Sequence, residues 1–164
     1  MGKTNMSQAV VAKLKGAFPA TVQEVKEHRG EVTVTVKRED IVQVCDFLKK
    51  EAGYNFLCDL CGVDYLGQQP RFMVVYNLYN ITTKERLRVK VAVPEEDACV
   101  ETVSGVWSTA NWHERECWDL MGIRFANHPD LRRILMPENW EGHPLRKDYP
   151  LQGPGREPYQ GRLS

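Results

Sequence analysis

The chain has 164 residues with 22 Lys+Arg against 22 Asp+Glu and a formal net charge of zero, so bulk electrostatics favour neither a dedicated nucleic-acid binder nor a polybasic membrane surface. A hydrophobic content of 42% is that of a folded domain and lies above the disordered range. The five cysteines are odd in number and no signal-peptide apolar region precedes them, which predicts reduced thiols. The longest uncharged apolar-rich run, Phe72 to Thr83, is too short for a membrane helix of about 20 residues. Any membrane link is therefore expected through a partner.

In chain order, Ser7 is placed to cap a first helix carrying Val10, Val11 and Leu14 on one face and ending near Gly16. Thr21 to His28 reads as a strand, and Val32, Val34 and Val36 alternate with polar residues as a second, making a hairpin across Gly30. Ile41, Val44, Cys45 and Leu48 repeat at helical spacing, followed by Lys49, Lys50 and Gly53. Three strands are predicted next, over Asn55 to Tyr65, Arg71 to Thr82 and Glu85 to Val93. The first two have apolar residues on both faces, which predicts central positions. The third turns Arg86, Arg88 and Lys90 towards water or a partner.

Beyond Pro94, Asp97 is predicted to cap a helix bearing Cys99, Val103, Val106 and Trp107. Asn111 opens another, with Glu114 as the N3 member of a capping-box variant and Gly122 at its end. Strands grouped in runs favour an α+β domain over residues 1–125, with a mostly antiparallel or mixed sheet of about five strands. Six of the nine prolines (Pro129, Pro137, Pro144, Pro150, Pro154 and Pro158) fall in residues 126–164. They forbid a long helix, yet Leu131, Ile134, Leu135, Met136, Trp140, Leu145, Tyr149 and Tyr159 are too apolar for a solvated linker. This tail is expected to lie extended along a surface of its own body or of another subunit.

His113-Glu114-Arg115-Glu116-Cys117 is one residue from the HExxH zinc pattern, with His128 or His143 as third ligand. A zinc hydrolase using His113, Glu114 and Cys117 is thus an alternative to an ordinary capped helix with ion pairs. Cys58 and Cys61 form one CxxC in a strand, where buried small thiols are the expectation because no second CxxC follows. No phosphate-binding or nucleophile motif occurs, and the basic ladder Lys84, Arg86, Arg88, Lys90 has no interleaved aromatics for stacking nucleic acid. An acidic segment, Glu95 to Asp119, precedes a mildly basic end, an arrangement suited to fixing register between body, tail and partner.

One stretch is more specific. Glu114-Arg115-Glu116, Asp119, Gly122, Phe125, His128-Pro129, Leu131, Arg132-Arg133-Ile134-Leu135 and Gly142 through Pro150 resemble the signature of the C-type (30 kDa) subunit family of proton-pumping NADH:quinone oxidoreductase, respiratory complex I. The upstream order of elements is compatible, with residues 1–50 the weakest part. Met121 stands where an aromatic or Leu is commoner, and the Cys58/Cys61 pair is outside the family pattern.

The resemblance implies a non-catalytic scaffold on the cytoplasmic side of a bacterial cell membrane, held there peripherally. Its tail would clamp the large quinone-module subunit (D type), near subunits of B and I types. Catalytic, cofactor and metal residues are expected to be absent from the chain. FMN, iron–sulfur clusters and quinone would sit elsewhere in an assembly passing electrons from NADH to quinone and coupling this to proton translocation. Arg132, Arg133, Arg146 and Lys147 would pair with carboxylates of the partner or of the Glu114 helix, Asp148 with a partner cation, and Tyr149 would share the contact. The equivalent scaffold of a related membrane hydrogenase or plastid-type dehydrogenase is the third reading.

Overall fold

A computed structural model describes residues 6–151, with side chains from Gln8 onward. The elements run α1 (Met6–Ala17), β1 (Val22–His28), β2 (Glu31–Val36), α2 (Ile41–Lys50), β3 (Phe56–Asp64), β4 (Phe72–Tyr79), β5 (Arg86–Val93), β6 (Cys99–Glu101), α3 (Ala110–Met121) and β7 (Arg124–Ala126). A short 3-10 turn, Arg38–Asp40, leads into α2. Ser7 lies inside the first turn of α1, so it is not the cap that its position suggested.

Five strands form one mixed sheet in the order β1-β2-β5-β4-β3. β2 and β5 are parallel, and every other neighbouring pair is antiparallel. The β1–β2 hairpin turns on Arg29 and Gly30, both at positive φ (52° and 80°), the geometry that matches the right-handed twist of the flanking strands. Alternation places Val32, Val34 and Val36 of β2, Phe72, Val74, Tyr76 and Leu78 of β4, and Leu87, Val89, Val91 and Val93 of β5 on one face. Against it pack Val11 and Leu14 of α1, the Ile41-Val44-Cys45-Leu48 stripe of α2, and Ala110, Cys117 and Met121 of α3. Each Leu or Val so buried contributes on the order of 1.5–3 kcal/mol.

Four expectations are corrected. The segment after Pro94 is no helix, because the backbone donors in its middle are taken by distant acceptors. Thr102 N–H donates to the Ala126 carbonyl (3.0 Å), Val103 N–H to the Glu114 carboxylate (2.7 Å), and β6 pairs in parallel with β7. Trp107 instead reaches the Tyr54 carbonyl through its indole N–H (3.2 Å).

β3 is an edge strand, not a central one. Its second set of apolar residues stays partly open, with Phe56 43% exposed.

Cys58 and Cys61 are exposed, not buried. The register shifts between Leu57 and Asp59, so Cys58 occupies a bulge and the strand resumes with Leu60 inward and Cys61 outward.

Finally, Glu114 closes no capping box. Thr109 precedes α3 without a side-chain cap, and Glu114 points into the body. Gly122 does end α3 in the left-handed conformation (φ 74°), its N–H returning to the Trp118 carbonyl at 2.8 Å.

Candidate partner-binding surface

The residues that attracted attention in the sequence converge on α3 and on the strap that follows β7, from Asn127 to Leu151. Most of them face inward and fasten the strap to the body.

Asp119 is fully buried near the end of α3. Its Oδ2 accepts the N–H groups of Ile134 (3.0 Å), Leu135 (2.8 Å) and Met136 (2.9 Å), and its Oδ1 accepts Arg133 Nη1 at 2.6 Å. Burial opposes its ionisation, but the hydrogen bonds from Met136, Arg133, Ile134 and Leu135 outweigh burial and hold the carboxyl below its ordinary range. One side chain thus satisfies three consecutive backbone donors in a segment that proline excludes from helix or sheet. One turn earlier, Arg115 donates to the carbonyls of Arg132 (3.1 Å) and Arg133 (3.0 Å) while lying 5.1 Å over the Trp112 ring. Arg133 also donates to the Trp140 carbonyl at 2.8 Å.

The second half of the strap is held at the end of α3. His143 Nδ1 lies 2.9 Å from the Asp119 carbonyl and so carries the proton there, and burial pushes its pKa down, keeping the ring neutral. Arg146 Nε donates to the Met121 carbonyl (2.7 Å) and its guanidinium stands 5.1 Å over Phe72. A Cβ on Gly122 would come within 2.5 Å of both Arg146 and His143. Gly122 therefore serves the close approach of the strap as well as the turn. At the strap's end the Tyr149 hydroxyl donates to the Glu141 carbonyl at 3.1 Å.

A further fastening comes from a residue the sequence did not single out. Arg71, 3% exposed just before β4, donates in a fork to Asp64 of β3 (2.9 Å each) and also to Asp148 (2.7 and 3.0 Å) and Glu95 (2.5 Å). Lys147 N–H adds a bond to Asp64 at 2.9 Å. The Arg71 fork lowers the pKa of both aspartates and raises its own. A signal was present in the sequence: Asp64 and Arg71 interrupt two apolar strand runs at facing ends of a hairpin.

Glu114 is enclosed on all sides. It accepts from Val103 N–H and from the Thr102 hydroxyl, with His128 Nε2 at 3.8 Å. Burial lifts its pKa to about 7, against the pull of those two hydrogen bonds. His128 accepts Asp130 N–H at Nδ1 (3.0 Å), so its proton sits on Nε2 and goes to the Asn111 carbonyl at 3.2 Å. Nearby, Pro129 is exposed and Arg132 pairs with Asp130 at 2.8 Å on the surface.

A zinc set is not brought together by these positions. His113 faces Asp59 at 3.8 Å, Glu114 points the other way, and Cys117 is buried against Gly62. Among the described residues no group of three or more His, Cys, Asp or Glu side chains is placed to hold a metal.

Among the charged residues that α3 and the strap leave outward, such as Arg132, Glu138 and Lys147, stand several large apolar ones. Trp112 (60%), Leu135 (60%), Leu145 (58%) and Leu151 (104%) are exposed, beside the exposed Glu116.

Comparison with known proteins agrees with this architecture. The profile of the family described as "Respiratory-chain NADH dehydrogenase, 30 Kd subunit" matches residues 34–155. A Geobacter metallireducens protein named as the C subunit of NADH-quinone oxidoreductase is 66% identical over all of both chains. A Geobacter sulfurreducens protein of the same name is 64% identical over 94% of this chain and 96% of that one. Among solved structures, the trypsin-resistant fragment of Nqo5 superposes with a TM-score of 0.68 at 34% identity, covering 77% of this chain and 99% of that one. A chain of an archaeal membrane-bound sulfane sulfur reductase gives 0.73 at 24% identity over 88% and 86%, a likeness of fold. With a profile spanning residues 34–155 and full-length relatives at this identity, the chain belongs to the respiratory-chain NADH dehydrogenase 30 kDa subunit family.

Proposed function

We propose that the chain is a non-catalytic structural subunit of a bacterial NADH:quinone oxidoreductase, seated in the quinone module of the peripheral arm. There it holds the large D-type subunit and neighbours of B and I types. The carrying observation is that the family-signature residues Arg115, Asp119, Gly122, His128 and Arg133 build the seam between α3 and the strap, while Glu114 ties α3 to Thr102 and Val103. They shape a surface; they do not converge on a cleft. Family membership and the names of the relatives support the assembly. In this reading FMN, the iron–sulfur clusters and the quinone belong to other subunits. The complex transfers electrons from NADH to quinone with proton translocation, and this chain sits peripherally on the cytoplasmic side. Among the described residues no helix is long and apolar enough to cross a membrane.

Arg133, Arg146 and Asp148 are already engaged within the chain, so the contact with the large subunit is carried by the exposed Leu135, Leu145 and Trp112. The test is co-purification of that subunit with Leu135→Asp/Leu145→Asp, compared with a chain lacking residues 152–164, which lie outside the described ones. Loss of the partner from either variant, with the isolated chain's melting unchanged, is the expected result. Full retention by both refutes the clamp.

A further inference from the structure

The sheet has a second face that none of the described helices covers, since α1, α2 and α3 all contribute to the core on the other side. Strand register lays its side chains in rows. One row runs Lys26, Thr33, Arg88, Asn77, Asp59, and the next runs Glu24, Thr35, Lys90, Val75, Cys61. The charged groups of the first row are matched by neighbours, Lys26 by Glu24 of the second row. Arg88 donates to Glu31 (3.0 Å) and Asn77 (3.1 Å), and Asn77 donates to Asp59 (3.4 Å).

In the second row Lys90 is not so matched. Lys90 is half-buried, its lateral neighbours are Thr35 and Val75, and its ammonium has no ion-pair or hydrogen-bond partner among the described residues. Glu24 stands two strands away, about 10 Å by strand spacing, and is held by Lys26 at 2.9 Å. Lys90 opens into a groove of about 340 Å³ that Thr33, Thr35, Met73, Tyr65, Gln68 and Gln69 help to line. The β3–β4 turn forms one wall, closed by Tyr65 N–H to the Arg71 carbonyl at 2.8 Å. Val75, the register partner of Lys90 on β4, is only 7% exposed although it lies outside the main core.

We infer that this open sheet face is a second docking surface, on which a neighbouring protein subunit inserts an acidic side chain to pair with Lys90. Hydroxyls and amides around one half-buried ammonium supply donors for a carboxylate, and Met73 beside Val75 supplies apolar contact for the residues flanking it. A small free anion fits less well. The only other cation in the groove, Lys26, is already matched by Glu24. The inference rests on the chain being an assembly subunit, but it uses a face separate from the strap.

The test is acetylation of lysine amines by a water-soluble N-hydroxysuccinimide ester, read by peptide mass spectrometry on the isolated chain and on the purified oxidoreductase complex. Lys90 is expected to react in the isolated chain and to be protected about tenfold or more in the complex, the scale of a desolvated charge pair. Lys90→Glu is expected to leave the isolated chain's melting temperature unchanged and to strip the chain from the complex at moderate salt, while Lys90→Arg is retained. Equal labelling in both samples, or wild-type retention of Lys90→Glu, overturns the inference. So does protection of Lys90 in the isolated chain by millimolar inorganic phosphate or by raised chain concentration, which would assign the groove to a free anion or to a second copy. If the wild-type chain is itself absent from the complex, the proposed function falls as well. Presence with unprotected Lys90 removes only the second surface.

Discussion

Glu114 shows how one buried carboxyl makes stability depend on pH. Its pKa, raised from 4.5 to about 7 by burial, means that the folded chain holds this proton more tightly than the unfolded chain does. The resulting stabilisation is complete below pH 4.5 and is lost as pH rises through 7. When protonated, Glu114 can donate to Thr102, whose hydroxyl donates on to Ser104 at 2.9 Å. Glu114→Gln keeps both bonds without a charge, so denaturant midpoints of this variant are expected to stay flat between about pH 5 and 7 where the parent loses roughly 2 kcal/mol. A parallel slope in both proteins would show that Glu114 is not the titrating group. The opposite sign belongs to Asp64, Asp119 and Asp148, whose pKa values are lowered. Their contribution is present above the ordinary carboxylate range and disappears in acid. Arg71→Met leaves Asp64 buried and unpaired, so it is expected to cost about 3–5 kcal/mol in chemical unfolding. Asp148→Asn, at a half-exposed partner, costs about 1 kcal/mol or less. Similar costs for the two would contradict the ranking of Asp64 as the principal partner.

Among the elements, α3 and its strap form one mechanical unit. Asp119 takes the place that a paired strand would have for residues 134–136. Asp119→Ala is expected to open this stretch to limited proteolysis while β1 to β5 remain protected, because the large sheet uses none of these bonds. Cleavage spread evenly over the chain would instead mean that strap and sheet unfold together. Gly122→Ala forces a side chain into left-handed backbone and against Arg146 and His143, with a cost above about 1 kcal/mol. Gly105→Ala, with nothing near its Cβ, serves as the tolerated comparison. The helices α1 and α2, the hairpin β1–β2 and the alternation of β5 were legible because short-range periodicity states which face is apolar. The segment from Cys99 to Trp107 misled for the same reason. Its apolar residues carry helical spacing, but the backbone donors of Thr102 and Val103 in its middle are claimed by Ala126 and Glu114, which are distant in sequence.

At the scale of the molecule, a mixed sheet with helices on one side only has two ways to meet neighbours. The strap side offers Trp112, Leu135 and Leu145, and the bare sheet side offers Lys90. In a multi-subunit assembly these surfaces can hold different partners at once. Loss of either surface is then expected to release the chain at lower salt than the parent needs, and loss of both at lower salt still, as salt-wash profiles of single and combined variants will show.

The amino-acid order alone determined the class of fold, the α2 stripe, the Gly122 stop and the family, since each is written in local spacing or in a run of residue types. Only the tertiary structure decided that Arg133, Arg146 and Asp148 bind their own body, that β3 lies at an edge with Cys58 and Cys61 outward, and that Arg71 is the hub. Those outcomes depend on which of several oppositely charged or hydrogen-bonding groups arrive within about 3 Å of each other. Pairs such as Arg71 and Asp148, far apart along the chain, meet only after the sheet has set their positions.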